Sequence, residues 1–286
     1  MQRPSNVNPF PLALSAMGFS CVAPNCQRVV DFAGTHRVGP LRAAFQTALS
    51  SVQPARFPLA RERIGIEFEF EPVEYRETLQ HLRQAGPLDA DFRVPAQRRQ
   101  AIEAKIESAL DLIERVDPDF AAGLKTAVGA FLISAAPIGG GGVSDVLGAI
   151  WLAPHERWTV FDYAELIVHE HVHQCLFLDD MVRKVFTEPL AVMQRPDALA
   201  VSAVLQQRRD FDKAFHSAFV AHALVRFNES LGLRFQARTY LGPLLRTLPE
   251  LCARPHLLTP RGQELLDQLV TDTAGLTSHY EVIAHA

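Results

Sequence analysis

The stretch that decides the fold is DYAELIVHEHVHQCLFL, residues 162–178, which contains an H-E-x-x-H motif at His169, Glu170 and His173. Its apolar, helix-compatible composition predicts an α-helix. Residues four apart on a helix lie about 40° apart around its axis, so His169 and His173 project from the same side. Two imidazoles at this spacing can bind one divalent metal, and Glu170 lies beside them.

The charged residues of this stretch favour a metal site over a surface helix with incidental histidines. Glutamates and histidines stand beside Ile, Val, Leu and Phe residues. Burial of an unpaired charge is costly, and a bound metal compensates for it. His171 lies about 200° around the helix from His169, so we expect it in the core or next to the ligands and not among them.

Length and composition indicate a single catalytic domain. Hydrophobic residues make up 48% of the 286 residues, which is enough for one large core. A net charge of −4 offers no basic surface for nucleic acid, and four cysteines in a chain of this length do not make a disulfide scaffold. No signal peptide and no apolar run of about 18 residues is evident, so we expect a cytoplasmic protein that does not bind membranes.

Within that domain, periodicity predicts a mostly helical α+β fold with a small antiparallel sheet. We expect an irregular segment over 1–60, a layer of helix and strand over 61–160, and metal-site helices with a helical C-terminal part over 161–286. Alternating apolar and acidic residues predict a half-exposed strand at 64–71. The predicted helices cover residues 41–49, 98–116, 120–128, 210–228 and 259–269.

Two buried strands are predicted directly before the motif helix, at 129–135 and 147–153. The glycines at 139–142 lie between them and lack the Lys-Ser/Thr of a P-loop, so we interpret them as a mobile hairpin loop. A strand followed by an H-E-x-x-H helix is the layout of zincin-like cores. In such cores an extended peptide pairs with the edge of the strand above the metal, which predicts a peptide along 148–153.

A catalytic metal site needs a third protein ligand, and His216 and His222 are the candidates. Both lie in the apolar helix predicted over 210–228, which can pack against the motif helix. They are about 240° apart, so at most one can face the metal. Arg209 stands two helical turns before His216, where a guanidinium suits a carboxylate held between it and the metal. Next to Arg208, it is equally compatible with a solvated helix start.

These residues resemble a bacterial family of H-E-x-x-H proteins found with ribosomally synthesised, modified peptides. The family is regarded as Fe(II)- and 2-oxoglutarate-dependent peptide β-hydroxylases. The resemblance is carried by residues 163–180, by Phe215-His216-Ser217 with the arginine seven residues earlier, and by the strand over 148–154. It covers about residues 145–230. This chain has Arg209-Asp210 where the family pattern has Arg-Pro.

The resemblance implies a ligand set and a reaction. His169, His173 and His216 would hold Fe(II), Arg209 would bind the distal carboxylate of 2-oxoglutarate, and Glu170 would be a neighbour of the metal or a base beside it. O₂ would be the oxidant, and the product would be a peptide hydroxylated at a side-chain Cβ. The substrate would be a ribosomally made precursor peptide.

Two other functions remain compatible with the sequence. In a zinc metallopeptidase, Glu170 would be the general base for a water activated by zinc, with His216 or a carboxylate as the third ligand. A non-enzymatic protein could instead capture a leader peptide on the edge of the strand predicted at 64–71. Neutral imidazoles bind iron and zinc alike, so the ligand types do not separate these functions.

Overall fold

The structure, a computed structural model, describes residues 17–34, 39–53, 62–68, 93–135, 140–142 and 144–284. Its helices are α1 (Phe19–Phe32), α2 (Leu41–Val52), α3 (Ala96–Val116), α4 (Pro118–Ala127), α5 (Val160–Arg183), α6 (Leu190–Met193), α7 (Phe211–Ser230), α8 (Arg234–Cys252) and α9 (Pro260–Ala284). Its strands are β1 (Gly65–Glu67), β2 (Ala130–Ile133), β3 (Gly140–Gly141), β4 (Ala149–Leu152), β5 (Ala200–Val201) and β6 (Arg208–Arg209). The predicted class, mostly helical α+β, is confirmed. None of the described helices has the length and apolarity that crossing a bilayer requires.

The main sheet is mixed, so the prediction of an antiparallel sheet is wrong. Its strand order is β1-β2-β4-β3. The β1–β2 and β2–β4 pairs are parallel, and only β3 pairs antiparallel, with β4. Helices α3 and α4 lie between β1 and β2 in the chain and provide the crossover that a parallel pair needs. All residues of β2 and β4 are buried, as expected for inner strands of a covered sheet.

The edge of the sheet near the motif helix is β3 and not β4, which corrects two expectations. β3 pairs with Trp151 and Leu152 of β4, so a peptide cannot add to that half of the segment predicted at 148–153. Gly140 and Gly141, interpreted from the sequence as part of a mobile loop, form the edge strand, whereas Gly139 lies outside the described residues. A Cβ at Gly140 would lie 2.8 Å from the Trp151 carbonyl oxygen and 3.0 Å from Leu166 of α5. Glycine therefore lets the edge strand lie directly on the motif helix.

The first 60 residues are less irregular than the sequence suggests. Two helices, α1 and α2, occupy much of the described part of this segment, and only the second was predicted. α1 packs on α4 and on the motif helix α5. The predicted strand at 64–71 shortens to Gly65–Glu67, and residues 69–71 lie outside the described residues.

Helix α5 begins where its capping signals predict. The Thr159 backbone N–H donates to Asp162 Oδ2 over 2.6 Å, and the Asp162 backbone N–H donates back to Thr159 Oγ1 over 3.4 Å. This reciprocal capping box satisfies N–H groups that the first turn cannot bond internally. The helix then continues to Arg183, so both motif histidines lie well inside a regular helix.

Buried glutamine side chains fix the turn that leads into β4 and the end of α4. Gln174 of α5 accepts from the Gly148 N–H over 2.9 Å and donates to the Ala149 carbonyl over 3.3 Å. Gln53 pairs its amide with both backbone groups of Leu147, and Gln46 donates to the Ala127 carbonyl. Buried backbone groups outside a regular ladder need such partners. Gln174 therefore ties the motif helix to the sheet one residue after His173.

Replacing Gly148 with alanine should destabilise the protein by roughly 2 kcal/mol. Gly148 has φ +86°, a left-handed conformation that costs other residues about 1–2 kcal/mol. The added Cβ would also lie 2.9 Å from Gln46 Oε1. Urea unfolding measures the loss. Gly275→Ala is the control, since a Cβ there meets nothing within 4 Å and helix α9 should gain slightly. Equal effects of the two changes would contradict the strain at Gly148.

Candidate metal centre

His169 and His173 lie side by side on the motif helix, at a spacing that two ligands of one metal ion would have. Their Nε2 atoms are 3.2 Å apart, and their ring centroids are 5.0 Å apart. Two nitrogens that each lie about 2.1 Å from one ion are separated by about 3.2 Å when the angle at the ion is near 100°. The pair therefore has the spacing that a tetrahedral or octahedral metal requires.

Helix α7 brings His216 against the same pair. The His216 Nδ1 lies 3.1 Å from His173 Nδ1, and the two rings stack with centroids 5.4 Å apart. His173 thus contacts His169 through one ring nitrogen and His216 through the other. In these side-chain conformations, no three His, Cys, Asp or Glu side chains of the described residues form a metal-binding group. The three rings are adjacent, but the His173 nitrogen that faces His216 is not the one that faces His169, so the three donor atoms do not converge on one point.

The histidine cluster lies beside aromatic rings, and its most deeply buried member is His216. The Phe177 ring is 4.9 Å from that of His216, and the Phe186 ring stacks on the other side at 6.3 Å. Burial lowers the pKa of His169 and that of His216 to about 4. Burial, followed by the charges of His169, His216 and Arg209, lowers the pKa of His173 well below its usual value. The imidazoles are therefore neutral at pH 7, which is the form that binds metals.

Arg209 lies close to the cluster but not on the helix that carries His216. It belongs to β6, where its backbone pairs with Ala200, and α7 begins only at Phe211. The argument from two turns of one helix was therefore wrong, yet the positive charge still acts on His173. No described residue bonds to the Arg209 guanidinium. The neighbouring Arg208 differs, because it donates to Glu250 and to the Leu199 carbonyl.

Glu170 points between the motif helix and the edge strand. Its Oε1 is 4.0 Å from His169 Nε2, and its Oε2 would be 3.8 Å from a Cβ at Gly142. The residue is 4% exposed, and burial raises the pKa of its carboxyl to about 8. Glu170 can therefore carry a proton at neutral pH beside the candidate ligands.

A pocket of about 230 Å³ opens beside His169, and its polar residues were missed from the sequence. Glu165, one turn before His169 on α5, lines it together with Trp158 and Tyr240. The Glu165 carboxylate accepts from Asn228 Nδ2 over 2.9 Å and from the Tyr240 hydroxyl. The spacing Glu165-x₃-His169-x₃-His173 was the signal that places all three side chains on one face.

The remaining histidines near the motif have other partners. His171 is fully buried and faces the core, where its Nε2 is 3.3 Å from Cys175 Sγ and its ring packs edge-on against Phe120. Its position around the helix predicts this placement. His222, the other candidate third ligand, is bonded through Nδ1 to Thr273 Oγ1 over 3.0 Å and is not part of the cluster. Of the two candidates, only His216 contacts a motif histidine.

Comparison with known proteins adds no assignment. No protein-family model matches the chain, and no curated protein matches it.

Proposed function

We propose that this protein is an Fe(II)- and 2-oxoglutarate-dependent peptide β-hydroxylase acting on a ribosomally made precursor peptide in the cytoplasm. His169, His173 and His216 are the proposed iron ligands, and Arg209 is the proposed site for the distal carboxylate of 2-oxoglutarate. When bound, iron and the cosubstrate would supply the oxidising power that places one oxygen atom of O₂ on a peptide Cβ and the other in succinate.

The position of Arg209 carries this proposal. A buried or half-buried guanidinium without a partner is costly, and a carboxylate that binds in its two-donor geometry compensates for it. The Arg209 charge lies near enough to act on His173. A dicarboxylate that chelates a metal at one end and meets an arginine at the other fits this arrangement.

The chain's own residues would prepare the site in three ways. The low pKa values of His169 and His216 keep their imidazoles neutral at pH 7, so each has one unprotonated ring nitrogen for metal binding. The rings of Phe177 and Phe186 exclude water from His216, which strengthens electrostatic contacts there. Glu170, buried beside His169, would hold a proton close to the reacting atoms.

The reaction is tested by incubating purified protein with Fe(II), 2-oxoglutarate, O₂ and a diverse peptide pool. The proposal expects succinate and a peptide mass gain of one oxygen atom, both absent in His169→Ala. The second candidate, a zinc peptidase, is favoured by one observation: the exposed edge of β3 lies next to Glu170. Peptide cleavage with Zn²⁺ that Glu170→Gln abolishes, without succinate, would establish the peptidase instead.

Replacing Arg209 with alanine should weaken binding of 2-oxoglutarate by about 10- to 100-fold, since a charge-assisted, two-donor hydrogen bond to a carboxylate is lost. Calorimetric titration of the Fe(II)-loaded protein under anaerobic conditions measures the affinity. Arg208→Ala is the matched control, because that arginine is bonded to Glu250 and Leu199, and it should bind as the wild type does. Equal losses in both variants would contradict a specific role for Arg209.

A further inference from the structure

We propose that the pocket beside His169 is a subsite for a positively charged side chain of the substrate, a lysine-like ammonium or an arginine-like guanidinium. The cation would bind to Glu165, and the apolar stem of the side chain would lie between Leu166 and Leu224. The inference rests on the proposed function in one respect, namely that the charged group belongs to a peptide.

The charges of the pocket select a cation. Two carboxylates, Asp162 and Glu165, line it, and no arginine or lysine does. Asp162 is occupied by the capping of α5, which leaves Glu165 as the available acceptor. Its donors, Asn228 and Tyr240, are both neutral. In the part of the chain that the structure describes, no cationic side chain pairs with this half-buried carboxylate, and a ligand cation would supply the missing partner.

A second acceptor next to Glu165 also lacks a donor. The Asn228 side chain is fully buried, and its Nδ2 donates to Glu165 and to the Leu224 carbonyl. Its Oδ1 has no hydrogen-bond partner among the described residues. Buried amide oxygens without partners are rare in folded proteins. The region around the pocket thus has more acceptors than donors, which matches a ligand rich in N–H groups.

The size and the walls of the pocket suit one long side chain. About 230 Å³ is below the range of about 300–1,000 Å³ that is typical for drug-sized ligands. Trp158 and Tyr240 provide aromatic walls, which attract ammonium and guanidinium groups through their ring faces. Methylene stems of lysine and arginine bury readily against leucine.

The pocket and Arg209 are associated with different histidines of the pair. Glu165 precedes His169 by one turn and lines the pocket with it, whereas Arg209 acts on His173, which follows by one turn. A residue held at Glu165 would lie beside the metal, and a carboxylate at Arg209 would lie nearer His173. The charged residue is either the one modified or its immediate neighbour in the peptide.

Binding of blocked amino acids to the full-length, metal-free protein tests the subsite without any turnover. The probes are N-acetyl-lysine methylamide against its norleucine counterpart, and the arginine compound against citrulline. Calorimetry or NMR titration should show at least one cation binding about tenfold more tightly than its neutral match. Glu165→Gln should abolish that preference, whereas Glu264→Gln, which removes an exposed carboxylate outside the pocket, should retain it.

The subsite is overturned if the neutral probes bind as tightly as the cations, if no probe binds, or if Glu165→Gln keeps the preference. These outcomes are separate from those of the hydroxylase assay. A cation preference without succinate formation supports the subsite and overturns the proposed reaction. Hydroxylation of peptides that contain no lysine or arginine supports the proposed reaction and overturns the subsite.

Discussion

His216→Ala should weaken Fe(II) binding by more than about 100-fold, because it removes one of the three proposed protein ligands. Loss of a contact that only supports a ligand costs less, about 10- to 100-fold. Anaerobic addition of 2-oxoglutarate to the wild-type protein with Fe(II) should give a visible charge-transfer band that disappears on exposure to O₂. The variant should show no band. The reason is geometric, since His216 is the only histidine outside the motif that contacts His173 among the described residues.

The matched control is His222→Ala, on the same helix. His222 is as deeply buried as its counterpart, but it bonds to Thr273 and not to the cluster. Both variants leave a cavity of similar size, so a general loss of packing would affect them alike. The His222→Ala protein should keep the band. If His216→Ala keeps it as well, the third ligand is a different side chain, and Glu165 or Glu170 would be tested next.

Asp179→Ala should destabilise the protein by about 3–5 kcal/mol, the largest effect expected away from the metal centre. The Asp179 side chain is 4% exposed and accepts two hydrogen bonds each from Arg183 and Arg261. This cluster joins the end of the motif helix to α9. Without the Asp179 carboxylate, the two partly buried guanidinium groups of Arg183 and Arg261 lose the anion that they share. Urea unfolding at pH 7 measures the loss, and Glu264→Ala, which removes an exposed partner of Arg261, should cost under about 1 kcal/mol.

The loss of stability in Asp179→Ala should depend on pH, and it should be smaller at low pH. Burial opposes ionisation, but hydrogen bonds from Arg261 and Arg183 hold the pKa of Asp179 below its usual 3.8. A pKa that is lower in the folded protein than in the unfolded chain adds stability. This stability is fully present at pH values above the pKa of the unfolded chain, and it is lost as the pH falls through the pKa of the folded protein. The gap in unfolding free energy between wild type and Asp179→Ala should therefore narrow below about pH 4. A gap that stays constant to lower pH would contradict the ion-pair explanation.

Local signals predicted the motif helix well, and its surroundings less well. The start at Thr159 and the shared face of His169 and His173 depend on neighbours within one or two turns, which the sequence displays directly. α8 was missed because Pro243 and Pro249 lie inside it and interrupt the pattern that a helix normally shows. α1 contains Pro24 and escaped prediction for the same reason.

Contacts between distant segments could not be read from periodicity. The parallel pairing of β1 with β2 depends on a crossover, and buried apolar strands look alike in parallel and antiparallel sheets. The position of Arg209 near His173 depends on the pairing of β5 with β6 and not on a helix, which periodicity did not indicate. The hydrogen bonds from Asn228 and Tyr240 to Glu165 link three helices, and no pattern among neighbouring residues predicts them.

The glycine composition of β3 has a consequence for how such a protein could acquire new substrates. Gly140 and Gly141 have no side chains, so the edge strand above the motif helix offers only main-chain groups. A peptide that paired with this strand would be bound through its own main chain, independently of its sequence. Discrimination between substrate peptides would then depend on the few side chains around Glu165, which do not belong to the sheet. Substitutions of those side chains alone could thus change which substrates bind, while β3 and the histidines stay unchanged.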